Sequence, residues 1–124
     1  IQADGGTRTA SITGGFVSLV LALRKIYHAG EIKEFPVKNY LAAVSVGIIN
    51  RIPLLDLKYE EDRNAEVDMN VVMLDNGDFV EIQGTAEGQT FPRKQLNQLL
   101  DFAEQGIRSH VSQQKRLLGE TLES

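Results

Sequence analysis

Apolar residues recur at steps of three and four from Thr9 to Tyr27: Ile12, Phe16, Leu19, Val20, Leu23, Ile26 and Tyr27. That is the helical period, and it predicts a helix over this span. Val17, Leu21 and Ala22 widen the stripe, so burial is expected around much of the circumference. Thr7 is the expected N-cap, and Gly30 in "HAGE" the expected exit. Leu41–Ile49, "LAAVSVGII", is a continuous apolar run of strand length and reads as a central strand. Further strands are predicted at Leu54–Leu57, Val67–Leu74 and Phe79–Gly84, with Asn76-Gly77 as a hairpin signal between the last two. The charged segment Lys58–Glu66 reads as a loop or one helical turn. A second helix is predicted from Arg93 to Lys115. Leu96, Leu99, Leu100, Ala103, Ile107 and Val111 mark its buried face, and Pro92 suits its first position. The ending "LLGETLES" reads as a fraying tail.

Helix, four strands, helix is the pattern of a two-layer α+β domain, with mostly antiparallel strands covered by two main helices. No repeat, linker or low-complexity tract divides the chain, so residues 1–124 are expected to form one domain. The absence of cysteine excludes disulfides and thiolate metal sites and fits a cytoplasmic location. No apolar run reaches the ~18–20 residues of a membrane span, so no membrane partner is expected. The chain opens on Ile1, and "IQADGG" reads as the end of a strand entering a turn, as if cut from something longer.

Charge changes the picture in one place. Asp56 to Asp68 holds six acids and two bases, which equals the whole net charge of −4. A polyanion would have to meet this patch through a cation, or dock elsewhere. Asp62 lies in the charged turn, and Asp68 lies inside an apolar strand, where alternation puts it on one face with Asn70. Two carboxylates so placed suit magnesium, which keeps most of its waters; they also suit a solvated acidic loop. "GGTR", Gly5 to Arg8, is similarly open. A helix start exposes unpaired N–H groups, glycines admit an anion, and arginine offers a fork for phosphate oxygens. The same residues serve a plain capped turn. "EIQGTAEG", Glu81–Gly88, reads as a turn lining a site or as a strand exit. His28 and His110 have no Ser-Asp constellation beside them and read as structural.

Taken together, "QADGGTRTASITGGFVSLVLAL", "AAVSVGIIN", "LLDLKYEEDRNAEVDMNVVM" and "VEIQGTAEGQTF" resemble the second half of the bacterial ribonuclease PH family, from Ile1 to about Lys115. The resemblance implies a ribonuclease PH-like half with a ribosomal protein S5 domain 2-like fold. It implies a phosphate-dependent 3′-to-5′ exoribonuclease that trims transfer RNA precursors and releases nucleoside diphosphates, a phosphorolytic nucleotidyltransferase. Carried onto this sequence, it assigns Gly6, Thr7 and Arg8 to the attacking phosphate and Asp62 and Asp68 to magnesium or manganese, with Arg8, Asp62 and Asp68 catalytic. The "GTAEG" turn, Gly84–Gly88, is implied to lie near the site. Implied partners are the 3′ end of a transfer RNA precursor and further copies in a ring of six, a trimer of dimers, or a separate chain supplying the family's first half, which is absent here. Where the family commonly has glycine after "SVGIIN", this chain has Arg51, in an expected surface turn. The alternatives are a non-catalytic ring subunit or RNA-binding module of the same fold, and a metal- or nucleotide-binding domain unrelated to RNA. Joint retention of Thr7, Arg8, Asp62 and Asp68 favours the enzyme.

Overall fold

A computed structural model describes residues 5–55 and 66–124. Its elements, in chain order, are α1 (Gly5–His28), β1 (Leu41–Ile49), β2 (Ile52–Leu55), β3 (Val67–Leu74), β4 (Phe79–Ala86) and α2 (Arg93–Leu118). The strands form one antiparallel sheet in the order β2-β1-β3-β4. The α+β class, with two long helices against four strands, is as the sequence predicts. β1 and β3 have their predicted bounds, because an unbroken apolar run and a period-two pattern leave little choice of conformation.

The core forms where Val44, Val46, Val67, Met69 and Val71 of the sheet meet Leu99, Ala103, Ile107 and Val111 of α2. α2 comes close because residue 106 is glycine. A Cβ there would lie 2.8 Å from Leu55 Cδ1 and 3.1 Å from Val44 Cγ1. Phe16 and Val20 of α1 join the same core, with Phe16 packing on Tyr40 at a ring separation of 5.9 Å.

Several boundaries differ from expectation. α1 begins at Gly5, so Thr7 lies in its first turn and is not the cap. Glycine is costly in a helix interior, yet it is tolerated in an opening turn, where the N–H groups have no intrahelical partner in any case. Pro92 is the extended residue before α2, with Arg93 the first helical one. β2 starts two residues early, and the predicted residues 56 and 57 lie outside the described residues, as does most of the charged segment. β4 runs on through Ala86. Gly30 does end α1: it is left-handed at φ 79°, and its N–H and that of Glu31 bond to the Tyr27 and Ile26 carbonyls.

The C-terminal residues are tied down, contrary to the expected fraying. Arg24 of α1 donates to the carbonyls of Leu118, Thr121 and Leu122. A guanidinium here satisfies carbonyls that the end of α2 leaves unpaired and meets the negative end of its dipole. Leu122 is buried, and the Tyr40 hydroxyl donates to the Gly119 carbonyl. By length and composition Gly6–His28 could also cross a membrane, with mean hydropathy 1.3, which corrects the expectation that no stretch qualifies. In this fold its Thr9, Phe16 and Val20 are buried, while Leu19 and Leu21 face outward.

The turn Asn50-Arg51 joins β1 to β2, with Ile49 opposite Ile52. Both residues are left-handed, at φ 52° and 65°. This two-residue hairpin geometry strongly favours glycine in second place, and arginine there carries steric strain at Cβ. We expect Arg51→Gly to stabilise the fold by about 1 kcal/mol, read as a higher denaturant midpoint with an unchanged slope. Burial pushes the Tyr40 phenol above its ordinary pKa of 10.0, opposed by Arg24. A group raised on folding contributes fully below its unfolded value and loses that contribution as pH rises through its folded value. Stability should therefore fall as pH rises past about 10. Tyr40→Phe should remove that share of the loss when unfolding midpoints are compared at about pH 8 and about pH 11.

Candidate functional site

Strand alternation divides the sheet's side chains between two faces. Val44, Val46, Met69 and Val71 belong to the core face. On the other face the register sets three rows. Ala43, Val72 and Glu81 form the first, Ser45, Asn70 and Gln83 the second, and Gly47, Asp68 and Thr85 the third.

The head of α1 is tied to both ends of the first row. At the β1 end, the Thr13 hydroxyl donates to the Ala43 carbonyl at 3.1 Å and accepts from the Ala43 N–H at 3.0 Å. Among the described residues β2 pairs with Val46–Ile49 and none forms a strand beside Ala43 on this edge; the threonine meets its backbone groups instead. At the β4 end, Arg8 Nη2 donates to both carboxylate oxygens of Glu81, at 2.8 and 2.9 Å. The first turns of α1 therefore cross the sheet from β1 toward β4. Gly6 is half-buried within these turns, and its carbonyl accepts from the Thr9 hydroxyl at 3.2 Å.

The structure thus gathers Gly6, Thr7 and Arg8 at the head of α1 and places Asp68 on the same sheet face as Arg8's partner. Asp68 is half-buried and four positions along β3 from the row of Glu81, roughly 13 Å at a strand's rise. Asn70, Gln83 and Thr85 make the intervening and neighbouring surface polar. In the middle row, Ser45 is buried and its hydroxyl has no hydrogen-bond partner among the described residues. Asp62, the other predicted metal ligand, lies outside the described residues.

No group of three or more His, Cys, Asp or Glu residues that could hold a metal occurs among the described residues. One carboxylate on an open, oxygen-rich strand face fits magnesium, which binds through one or two carboxylates and retains several waters. His28 hydrogen-bonds the Glu123 carbonyl at 2.7 Å and His110 is half-buried on α2; both stand apart from this face. A cleft of about 480 Å³ between α2 and the β3–β4 hairpin, lined among others by Asp75, Glu104, Arg108 and Lys115, contains none of the predicted site residues.

Glu81 is the residue that sequence reasoning passes over. Its signal is the period of two in β4, where Glu81, Gln83 and Thr85 alternate with Val80, Ile82 and Gly84. Hairpin register at Asn76-Gly77 then places this polar row on the face of Asp68.

Residues 39–106 match the model of the 3′ exoribonuclease family, domain 2. The chain is 59% identical over 119 residues to a protein named Ribonuclease PH from Syntrophomonas wolfei, covering 96% of this chain and 50% of that protein. It is 59% identical over 124 residues to Ribonuclease PH from Bacillus pumilus, covering 99% of this chain and 51% of the relative. The chain thus spans about half the length of the relatives it matches. Among solved structures, a chain of the Archaeoglobus fulgidus exosome with RNA bound to the active site superimposes with a TM-score of 0.54 at 19% identity. That match covers 69% of this chain and 35% of the other. An archaeal exosome core gives a TM-score of 0.53 at 20% identity, over 66% and 32% of the two chains. These two likenesses concern the fold.

Proposed function

The chain belongs to the 3′ exoribonuclease family, and we propose that it forms the catalytic half of a phosphate-dependent 3′-to-5′ exoribonuclease that trims transfer RNA precursors. The observation that carries this reading is the placement of Arg8, at the head of α1, over the sheet face that bears Asp68. A cationic helix head and a carboxylate share one surface.

In the proposed reaction, an oxygen of inorganic phosphate attacks the phosphorus of the 3′-terminal linkage. A new P–O bond forms, and the bond from phosphorus to the 3′ oxygen of the preceding nucleotide breaks. The proton carried by hydrogen phosphate ends on that 3′ oxygen. The products are a nucleoside diphosphate and an RNA one nucleotide shorter. Little of this needs covalent help from the protein; positioning and charge compensation carry most of the rate.

Gly6, Thr7 and Arg8 hold the attacking phosphate. The helix head offers N–H donors and the positive end of the dipole, and Arg8 adds a charged fork. Asp68, with Asp62, would hold magnesium or manganese. The bound ion supplies positive charge where two anions must approach each other. The net charge of −4 leaves general RNA grip to basic surface outside this chain. Exposed Leu19, Leu21, Ile52, Phe79, Val80 and Ile82 support assembly, either with a separate chain bearing the family's first half or in a ring of six as a trimer of dimers, in the cytoplasm.

Asp68→Ala tests the assignment in the full-length protein. Turnover of an RNA with extra 3′ nucleotides should fall by about 100-fold or more, while the thermal unfolding midpoint stays within a few degrees of wild type, since Asp68 is not in the core. Unchanged turnover would contradict the metal role.

A further inference from the structure

We infer that Glu81 is a positioning residue for phosphate: it holds the Arg8 guanidinium by Nη2 so that the remaining N–H donors are kept at the head of α1. This rests on reading Arg8 as the phosphate ligand.

The geometry of the pair is the argument. Both hydrogen bonds to the Glu81 carboxylate come from a single nitrogen, Nη2, at 2.8 and 2.9 Å. The carboxylate therefore meets the guanidinium end-on. Among the described residues, Nε and Nη1 make no hydrogen bond, so three of the five guanidinium N–H donors remain for an anion. Each of these N–H groups can donate to a phosphate oxygen. The pair fixes the plane of the group and leaves these donors to the anion.

Stability does not account for the contact. The two side chains are 44% and 37% exposed, and pairs this open contribute little to folding. The long arginine side chain, by contrast, has much conformational freedom to lose when it engages an anion. A partner that orders it beforehand removes that cost from phosphate binding. Glu81 is well placed to do so. It lies on β4 opposite Val72, whose other neighbour Ala43 is held by Thr13 five residues along α1 from Arg8. Helix head and strand are thus fixed relative to each other at two points, and Glu81 transmits that rigidity to the guanidinium. Its negative charge also offsets part of Arg8's attraction for phosphate, so a neutral acceptor of the same shape should serve at least as well.

The test is steady-state phosphorolysis by the full-length protein, with phosphate and RNA varied separately, for Glu81→Ala, Glu81→Gln and Arg8→Ala. Glu81→Ala should raise the KM for phosphate about tenfold, with the KM for RNA and kcat at saturating phosphate close to wild type. Glu81→Gln, whose amide oxygen still accepts from Nη2, should recover most of that loss. An unchanged phosphate KM in Glu81→Ala overturns the proposal, as does a Glu81→Gln variant as impaired as Glu81→Ala, or an equal rise in both KM values. Arg8→Ala separates the two levels. If it raises the phosphate KM and Glu81→Ala does not, only the role of Glu81 fails. If it leaves the phosphate KM unchanged, the reading of Arg8 fails, and that of Glu81 with it.

Discussion

Among the described residues, the first half of β1 has a strand on only one side, and the other edge finds hydrogen-bond partners in side chains. Among the described residues, the tight Asn50-Arg51 turn and β2 cover Val46–Ile49. Unpaired backbone groups inside a protein are costly, so something has to meet Leu41 and Ala43. Two side chains do. Thr13 takes both the N–H and the carbonyl of Ala43, and Gln114 donates to the carbonyls of Leu41 and of Thr13 itself. One open edge thereby draws α1, α2 and β1 to a common point.

The candidate site follows from that constraint. With Thr13 fixed at Ala43, the preceding turns of α1 have to run over the first row of the sheet, and Arg8 meets Glu81 at its far end. The helix head then lies on the surface bearing Asn70, Asp68, Gln83 and Thr85. The proposed phosphate turn and the proposed metal carboxylate come from segments some sixty residues apart in sequence. They share a face because the sheet register and the threonine clamp leave α1 little freedom. At the other end of α1, Arg24 closes the domain by satisfying carbonyls after α2.

How much of this was legible in the sequence depends on whether the information is local. β1 and β3 are, because an apolar run and an alternation each define a strand without reference to the rest of the chain. The alternation also gives the face of Asp68 correctly. The start of α1 is not, because Gly5 and Gly6 argue against helix by propensity, while the opening turn into which they fall tolerates them. Arg24's hold on the C-terminal residues and Arg8's on Glu81 span 98 and 73 positions of sequence. No periodicity within either segment encodes them; they exist only once the two helices and the sheet are assembled. The resemblance supplied Gly6, Thr7, Arg8 and Asp68 as candidates, yet it did not single out Glu81, which pairs with Arg8. Arg51 was legible as an unusual residue, and its left-handed backbone explains why glycine suits that turn.

The central claim is that this face serves phosphorolysis, and the product distinguishes it most directly. The full-length protein would be incubated with magnesium and an RNA carrying extra 3′ nucleotides, with and without inorganic phosphate, and the released nucleotides identified. The account predicts nucleoside diphosphates that appear only when phosphate is present. Nucleoside monophosphates released without phosphate would mean that water is the nucleophile, and would contradict it.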